Sequence, residues 1–287
     1  MTLPDRIVTS TGGRRETILD VIRGARESIV LSLFRCNDDY IFDELERATK
    51  RGVSVEVLIT SRAKGGKTKL RKLWSALEQT GASLYAYTEP VVKYHPKYIV
   101  ADDGPAVVAS LNFTRKCFRK TCDAIAVTYD PEVVAGLRAL HIADRARAPL
   151  PDLPRRLIIG PERAREQLTS LFMEARFSIR IIDAKLSDPD LITLLNARRA
   201  AGVTVEVYSA KRVGDLKSHG KLLLIDDRLA VVGSMALAAI SLGFRREVAI
   251  MVDEPAAVAE IRELFNSIDA TPTDGLMRPL GDTGLTL

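Results

Sequence analysis

The chain contains 287 residues, of which 46% are hydrophobic, a fraction normal for a globular protein with a buried core. Its 42 Lys and Arg outnumber its 37 Asp and Glu, which gives a formal net charge of +5 at pH 7. This mild basic excess suits an anionic partner such as nucleic acid, an anionic lipid surface or a phosphorylated small molecule, and it does not choose among them.

No segment has the pattern of a secretion signal or a membrane span. The N-terminal residues lack an apolar run, and the longest uncharged stretch, Leu229 to Phe244, is shorter than the roughly 20 residues that a span needs. We expect that stretch to form a buried strand and helix. These features predict a cytoplasmic protein and leave room for peripheral contact with an anionic membrane.

The cysteines are three in number, Cys36, Cys117 and Cys122. Cys117 and Cys122 lack the further Cys or His that a zinc site needs. We therefore expect all three to be free thiols in a reducing compartment.

The chain contains an internal repeat with an offset of 150 residues. Ala25–Ile29 corresponds to Ala175–Ile179, and Gly52–Val57 corresponds to Gly202–Val207. Each copy predicts a helix, an apolar strand, a second helix that ends near a glycine, and a second strand. Helices that alternate with apolar strands predict an α/β fold. The predicted ranges are 16–25, 29–34, 40–50 and 53–59 in the first copy, and 164–175, 179–183, 190–200 and 203–208 in the second.

A Pro-rich connector at 148–154 separates the copies. We predict a first repeat at 1–148, a second at 149–270, and a loose tail at 271–287 that is rich in Gly, Pro and Thr. The copies differ after the second strand, where only the first carries a helix at 67–79 and a strand at 83–87. That helix region is strongly basic, so it is either a solvated face or a surface that binds phosphates. Its cations are Lys64, Lys67, Lys69, Arg71 and Lys72.

Further along the chain the two copies are similar again, now at an offset of 124 residues, and the matching positions include chemically active side chains. His95 and Lys97 correspond to His219 and Lys221, and on a strand side chains two residues apart share one face. The third histidine, His141, has no counterpart, and we predict a helix-surface or capping role for it. Further positions of the repeat are Asp102 and Asp226, Ser110 and Ser234, Asn112 and Ala236, and Asp123 and Glu247, the last two each 28 residues after a motif histidine.

The pattern HxKxxxxD followed by GSxN, present twice, resembles the phospholipase D superfamily over roughly residues 3–265. The resemblance implies two tandem α-β-α repeats that are related by a pseudo-twofold axis and share one active-site cleft. It also implies phosphodiester cleavage through a covalent phosphohistidine, without a metal or other cofactor and without an obligate protein partner.

The resemblance implies that His95 and His219 act as nucleophile and general acid, and the usual order in the family favours His95 as the nucleophile. A nucleophilic imidazole must be neutral, and its partner must carry the proton for the leaving group. Asp123 and Glu247 would each fix the tautomer of a histidine by accepting the proton of its other ring nitrogen.

The remaining motif residues are implied to bind phosphate or to shape the backbone. Lys97 and Lys221 would hold the non-bridging oxygens, and Asp102 and Asp226 are predicted to form turns. Two positions depart from the family pattern, since Ala109 replaces a Gly and Ala236 replaces an Asn, so one donor is missing from the second side. The residues expected to add hydrogen bonds to phosphate are Ser110, Asn112 and Ser234.

Two segments that follow the motifs differ in character. Phe113–Lys120 alternates basic and aromatic residues, as in surfaces that bind single-stranded nucleic acid or lipid headgroups. Leu237–Phe244 is almost wholly apolar. One hypothesis is a cleft with a cationic wall and an apolar wall, which suits an amphiphilic phospholipid; the alternative is that Leu237–Phe244 is simply core.

The sequence therefore predicts a metal-independent phosphodiesterase of the phospholipase D type, with a phospholipid as the first substrate hypothesis. A cardiolipin-synthase-like phosphatidyltransferase uses the same intermediate with an alcohol as acceptor. Two further functions fit the same residues: a metal-independent nuclease, and a non-enzymatic module that binds phosphate or anionic lipid.

Overall fold

The computed structural model describes residues 3–62, 67–209 and 212–268. The predicted tail at 271–287, and Lys64 of the basic helix region, lie outside the described residues. Within them the chain forms two large sheets, one from each repeat, with helices packed against both. The predicted α/β class and tandem repeat are confirmed, while the domain limits at 148 and 270 remain predictions.

The first sheet has the strand order β1-β9-β7-β6-β2-β3-β4, in which β2, β3 and β4 are parallel and the other neighbours antiparallel. Val, Ile and Leu dominate its central strands, which are buried on both faces, as expected for a sheet covered by helices. The strands are β1 (Arg6–Val8), β2 (Ser28–Leu33), β3 (Ser54–Thr60), β4 (Ser83–Tyr87), β6 (Tyr98–Ala101), β7 (Ala106–Ala109) and β9 (Ile125–Thr128).

The second sheet repeats most of this plan in the order β10-β17-β16-β15-β11-β12, with β11 and β12 parallel. Among the described residues it has no counterpart of β4, because the second copy lacks the segment that carries that strand. Its strands are β10 (Leu157–Gly160), β11 (Ser178–Ile182), β12 (Thr204–Tyr208), β15 (Leu222–Ile225), β16 (Leu229–Gly233) and β17 (Arg245–Val252).

Short strands join the repeats. β5 (Lys93–Tyr94), from the first repeat, runs parallel to the start of β17. β8 (Thr121–Cys122) pairs in parallel with β14 (Leu216–Ser218), which forms a hairpin with β13 (Arg212–Val213). Each repeat therefore extends a strand into the other, as expected for a pseudo-twofold arrangement.

Nine helices lie within the described residues, and none is long and apolar enough to cross a membrane. Asp130 and Asp188 cap the N-termini of α5 and α7 by accepting backbone N–H groups, and a proline begins each of these helices. The helices are α1 (Thr11–Gly24), α2 (Asp39–Lys50), α3 (Lys67–Glu78), α4 (Arg115–Lys120), α5 (Pro131–Ala146), α6 (Ala164–Glu174), α7 (Pro189–Ala200), α8 (Ala239–Phe244) and α9 (Pro255–Asn266).

Three large apolar clusters hold the layers together. One lies between the outer helices and sheet of each repeat, and the third joins the two repeats through residues of both sheets, α5 and α9. Leu229–Phe244 contains β16 and α8, as predicted, but only the strand is buried throughout most of its length, since α8 buries Ser241 and Leu242 and exposes its other residues. The three cysteines are unpaired, as predicted, and all of them are buried.

The environment of His141 differs from the predicted helix-surface or capping role. Its side chain is only 1% exposed in the middle of α5, 3.6 Å from the carboxylate of Glu56 on β3. The helix packs this face against the sheet, so the ring is enclosed and the prediction is wrong. Burial, opposed by Glu56, lowers the pKa of His141 to about 4.

Asp102 and Asp226 occupy equivalent turns after β6 and β15. Both adopt the left-handed conformation, with φ of 44° and 52°, which aspartate tolerates better than most residues. The Asp102 carboxylate accepts the backbone N–H groups of Arg26, Glu27 and Ser28 at 2.8–2.9 Å. Asp226 does the same for residues 176–178. Each acid thus ties the turn beyond the HxK segment to the start of a central strand.

We expect Asp102→Ala to lower the free energy of unfolding by about 2–3 kcal/mol, because it removes a charged acceptor shared by three N–H groups. Asp103→Ala, at the exposed neighbouring position, should change it by less than about 0.5 kcal/mol. Urea unfolding followed by circular dichroism measures both. Equal effects of the two substitutions would contradict this role.

Candidate active site

The two HxK segments lie between the repeats. The sequence predicts them on strands, but His95–Lys97 connects β5 to β6, and His219–Lys221 connects β14 to β15. Each connector passes from a short strand paired with the other repeat to a central strand of its own sheet. The backbone N–H of His95 donates to the Arg246 carbonyl at 3.0 Å, and that of Gly220 to the Cys122 carbonyl at 2.8 Å. Contacts between the repeats therefore position both motifs.

Each histidine is hydrogen-bonded to a carboxylate of the opposite repeat. Nδ1 of His95 lies 2.8 Å from Oε2 of Glu247, and Nδ1 of His219 lies 3.1 and 3.2 Å from the two oxygens of Asp123. Both acids are buried in the interior. When Nδ1 carries its proton toward the carboxylate, Nε2 keeps a lone pair or a second proton for chemistry.

Hydroxyl groups fix the two carboxylates. Oε1 of Glu247 accepts the Ser241 hydroxyl at 2.8 Å. Asp123 accepts the hydroxyls of Ser110 at 2.7 Å and Thr121 at 2.5 Å. The sequence motifs do not include Thr121 or Ser241. Thr121 stands two residues before Asp123, a spacing that places both side chains on one face of an extended segment.

The lysines are buried beside their histidines. Nζ of Lys97 donates to the carbonyl oxygen of His95 and lies 3.1 Å from its Nδ1. Lys221 makes the same contact with the carbonyl oxygen of His219. The positive charge of Lys221 also acts on Lys97, so the two motifs from separate repeats meet in one region of space.

Burial sets the charge states of the first pair. It lowers the pKa of His95 to about 3, an effect that Glu247 opposes and Lys97 reinforces. Burial, with Lys221, also lowers the pKa of Lys97 to about 7 against the attraction of Glu247. Burial disfavours the carboxylate of Glu247, but His95 and Lys97 outweigh it and lower its pKa. At neutral pH His95 is therefore a neutral imidazole beside an ionised acid.

A family model described as "Cardiolipin synthase, PLD-like domain" matches residues 18–141 and 194–268, which include both HxK motifs and both acids. The chain belongs to the phospholipase D superfamily. The resemblance inferred from the two motifs is thus confirmed.

The chain is 29% identical over 140 residues to a curated relative, a phospholipase D of Rickettsia bellii. The match covers 48% of this chain and 67% of the relative. The chain is also 27% identical over 131 residues to cardiolipin synthase A of Pseudomonas aeruginosa, covering 45% of this chain and 27% of the synthase. The matched region is therefore only a part of that larger enzyme.

Two solved structures share the fold at low sequence identity. A phosphatidylserine synthase of Haemophilus influenzae superposes with a TM-score of 0.69 at 14% identity, over 94% of this chain and 87% of the synthase. A polyphosphate kinase of Porphyromonas gingivalis gives 0.74 at 18% identity, over 91% of this chain and 46% of the kinase. At this identity the likeness establishes the shared architecture of the two repeats.

In this phospholipase D-type site the predicted phosphate ligands divide into two groups. The Ser110 hydroxyl is used by Asp123 and the N–H of Ala124, and Ser234 is buried against the backbone of Val248. Both serine hydroxyls are therefore engaged within the protein, Ser110 with an acid and a backbone N–H, and Ser234 with a backbone N–H. Asn112 is buried beside them, and its Oδ1 has no hydrogen-bond partner in the described part of the chain. A contact between these three residues and phosphate remains a prediction.

Arg14 is a further residue of the site that the motifs do not reveal. Its guanidinium is fully buried and donates to the carbonyl oxygens of Phe118, Thr121 and Asp123 at 2.8–3.3 Å. It thereby holds the segment that presents Asp123 to His219. The counterpart of Arg14 at the 150-residue offset is Ala164, so the comparison of the two copies gives no signal for it.

Cations also surround the motifs. Arg35 and Lys185 follow the equivalent strands β2 and β11 and are related by the offset of 150, a signal that could have identified them. Burial, together with the charges of Lys221 and Arg245, lowers the pKa of Lys185. Within the described residues no three His, Cys, Asp or Glu side chains are grouped so as to hold a metal ion.

The segments after the motifs differ in what they expose. On α4 the exposed side chains are the basic ones, while Phe113 and Phe118 are buried in the core. Only the basic residues of the segment Phe113–Lys120 are therefore available to a ligand, because both aromatic rings are buried. On α8, Leu242 is buried, but Ile240 is 64% and Phe244 56% exposed. α4 thus exposes a cationic face and α8 a partly apolar one, and a single cleft with these two faces as walls remains a hypothesis.

We expect kcat/KM for bis(p-nitrophenyl) phosphate to fall above pH 7, because Lys97, whose pKa is about 7, is a cation below that pH and neutral above it. The p-nitrophenolate leaving group needs little protonation, so this substrate reduces the contribution of the general acid. Protonation of His95 should not limit the rate above about pH 5. Lys97→Arg should lower the plateau but shift the alkaline limb upward by more than about two pH units, since arginine stays charged. An unshifted limb would assign the titration to another group.

Proposed function

We propose that this protein is a phospholipase D-type phosphodiesterase that cleaves a phospholipid phosphodiester through a phosphohistidine on His95. The observation that carries the proposal is the pair of His–carboxylate hydrogen bonds that cross between the repeats, each with a buried lysine beside it. This arrangement supplies a neutral nucleophile, a proton carrier and two cations for one phosphate.

In the first step Nε2 of His95 attacks phosphorus and forms an N–P bond while the bond to the leaving alcohol breaks. The alcohol oxygen takes its proton from Nε2 of His219, and Asp123 stabilises the imidazolium before that transfer. Glu247 accepts the Nδ1 hydrogen of His95 and offsets the positive charge that develops on the ring. Lys97 and Lys221 offset the charge on the non-bridging oxygens.

In the second step a water molecule attacks the phosphohistidine. His219, now neutral, takes a proton from the water as its oxygen bonds to phosphorus and the N–P bond breaks. An alcohol can replace water without any other change. The same site can therefore transfer a phosphatidyl group, and only the identity of the acceptor separates hydrolase from transferase.

Two features favour a phospholipid over nucleic acid. Phe113 and Phe118, the aromatic residues beside the motif, are buried and offer no stacking surface to bases. The exposed residue Phe244 ends the short helix α8, which borders an opening of about 410 Å³. Apolar contacts with cations close by suit an amphiphile with an anionic headgroup. The residues that line this opening include Ala238, Ile240, Lys185 and Arg245.

The experiment is a substrate panel. We expect the protein to hydrolyse bis(p-nitrophenyl) phosphate in the presence of EDTA, and to release headgroups from phosphatidylglycerol or phosphatidylcholine vesicles faster than it cleaves single-stranded DNA or RNA. Glycerol in the same assay detects transfer, since a new phosphatidyl ester replaces phosphatidic acid. Preference for DNA would contradict the lipid proposal, and loss of activity in EDTA would contradict the metal-independent mechanism. Binding of anionic vesicles without turnover of any substrate would instead support the non-enzymatic module, for which Ala236 is the only sequence feature.

A further inference from the structure

A large groove opens on the first repeat, between α2, α3 and α4. Its volume is about 700 Å³, and its floor is apolar, formed by side chains such as Phe42, Leu70 and Leu73. One acidic residue, Asp39, lines the groove. Five cationic residues also line it: Arg35, Lys69, Lys72, Arg115 and Lys116.

The charge of this groove is largely uncompensated. Arg115 is paired with Asp39. Lys69, Lys72 and Lys116 are exposed, and in the described ranges no carboxylate lies within ion-pair distance of them. Several cations above an apolar floor attract an anionic group that is attached to a carbon skeleton.

The groove adjoins the catalytic histidine. Phe34 lines the groove, and the centre of its ring is 4.5 Å from that of His95. The Lys97 ammonium lies 5.4 Å and the Arg35 guanidinium 5.1 Å from the centre of the Phe34 ring. The Phe34 ring thus contacts His95 and also lines the groove, so the groove begins one side chain away from the histidine.

The second repeat has no such groove in the part of the chain that the structure describes. α3, which supplies Lys69 and Lys72, lies between β3 and β4, whereas the second repeat continues from β12 to its motif through the β13–β14 hairpin. The opening beside α8 is instead lined by Ala236, Ala238 and Ile240. The fold of a repeat thus does not require α3, and the two sides of the cleft offer different surfaces to the two ends of a substrate.

We propose that this groove binds a second phosphate of the substrate, so that the enzyme prefers phosphodiesters in which a short polyol links the scissile phosphate to another phosphate. The inference rests on the proposed function in one respect, that the scissile phosphate is held between His95 and His219. Lys69 and Lys72 contribute charge to the second phosphate, and the apolar floor contacts the carbon skeleton.

The test compares glycerol 1,3-bisphosphate with glycerol 3-phosphate as inhibitors of bis(p-nitrophenyl) phosphate hydrolysis. We expect the wild-type protein to bind the bisphosphate at least tenfold more tightly. The double variant Lys69→Gln/Lys72→Gln should reduce this ratio to less than about threefold. Arg71→Gln is the matched control, because Arg71 is exposed on the same helix but does not line the groove, and it should leave the ratio unchanged.

An unchanged ratio in the double variant, or an equal loss in Arg71→Gln, would overturn the proposal, since either result means that general surface charge attracts both anions. Tighter inhibition by a single-stranded oligonucleotide that depends on Lys69 and Lys72 would overturn it in favour of a nucleic-acid groove. The readout does not require lipid turnover. If vesicles are not cleaved while the bisphosphate preference holds, the phospholipid proposal fails and the second phosphate subsite stands.

Discussion

His219→Ala should trap a phosphorylated enzyme that His95→Ala cannot form. With bis(p-nitrophenyl) phosphate the leaving group departs without an acid, so His95 of the His219→Ala variant still attacks phosphorus. The second step lacks its base, and the phosphohistidine persists. We expect a burst of p-nitrophenolate near one equivalent, an added mass on the peptide that contains His95, and a steady-state loss of about four to six orders of magnitude for either variant.

The third histidine provides the control. His141→Gln replaces a buried ring that contacts Glu56 and takes no part in the proposed chemistry, so its kcat/KM should stay within about threefold of the wild type once folding is verified. A burst in His95→Ala and none in His219→Ala would exchange the roles of the two histidines. Only a modest loss in both variants would support the binding module instead of an enzyme.

Glu247→Gln and Asp123→Asn should slow different steps. The amide that replaces the Glu247 carboxylate can donate to Nδ1 of His95, which moves the ring proton to Nε2 and blocks the nucleophile; a wrong tautomer of this kind costs about 10⁴ in kcat in serine proteases. We therefore expect Glu247→Gln to slow the burst itself by about 10²–10⁴. Asp123 contacts His219, so the burst of Asp123→Asn should be faster than that of Glu247→Gln. The turnover that follows the burst should be slowed instead.

Rapid-quench kinetics separates the two phases. This experiment distinguishes pairing across the repeats from pairing within a repeat, because in the latter case Asp123→Asn would slow the burst and Glu247→Gln the later turnover. Asp103→Asn, an exposed substitution of the same type, is the control and should change neither phase.

The sequence was sufficient for most of the fold. Alternating helices and apolar strands placed the repeated elements within a few residues of their ends, because periodicity and helix-ending glycines are local properties. For example, the helix predicted at 190–200 spans Pro189–Ala200, and the strand predicted at 83–87 is Ser83–Tyr87. The motif residues were also found from sequence, since two copies of one pattern reinforce each other.

Features that depend on contacts between distant segments were not predictable. Asp123 and Glu247 lie at the same spacing after their own histidines, and that symmetry gives no sign that each acid serves the other repeat. The burial of His141 and Phe118 is decided by which face of a helix meets the sheet. Arg14 supports Asp123 from more than a hundred residues away in the chain, without a counterpart in the second copy.

The crossed acids have a consequence for how such a protein arises. A lone repeat with this geometry carries an imidazole without its carboxylate and a carboxylate without its imidazole, so it would need a second copy of itself to complete either pair. Fusion of two copies makes their encounter intramolecular and independent of concentration. It also means that the two halves need not be identical, so one half can carry a basic helix and the other an alanine in place of an asparagine while both still complete the same centre.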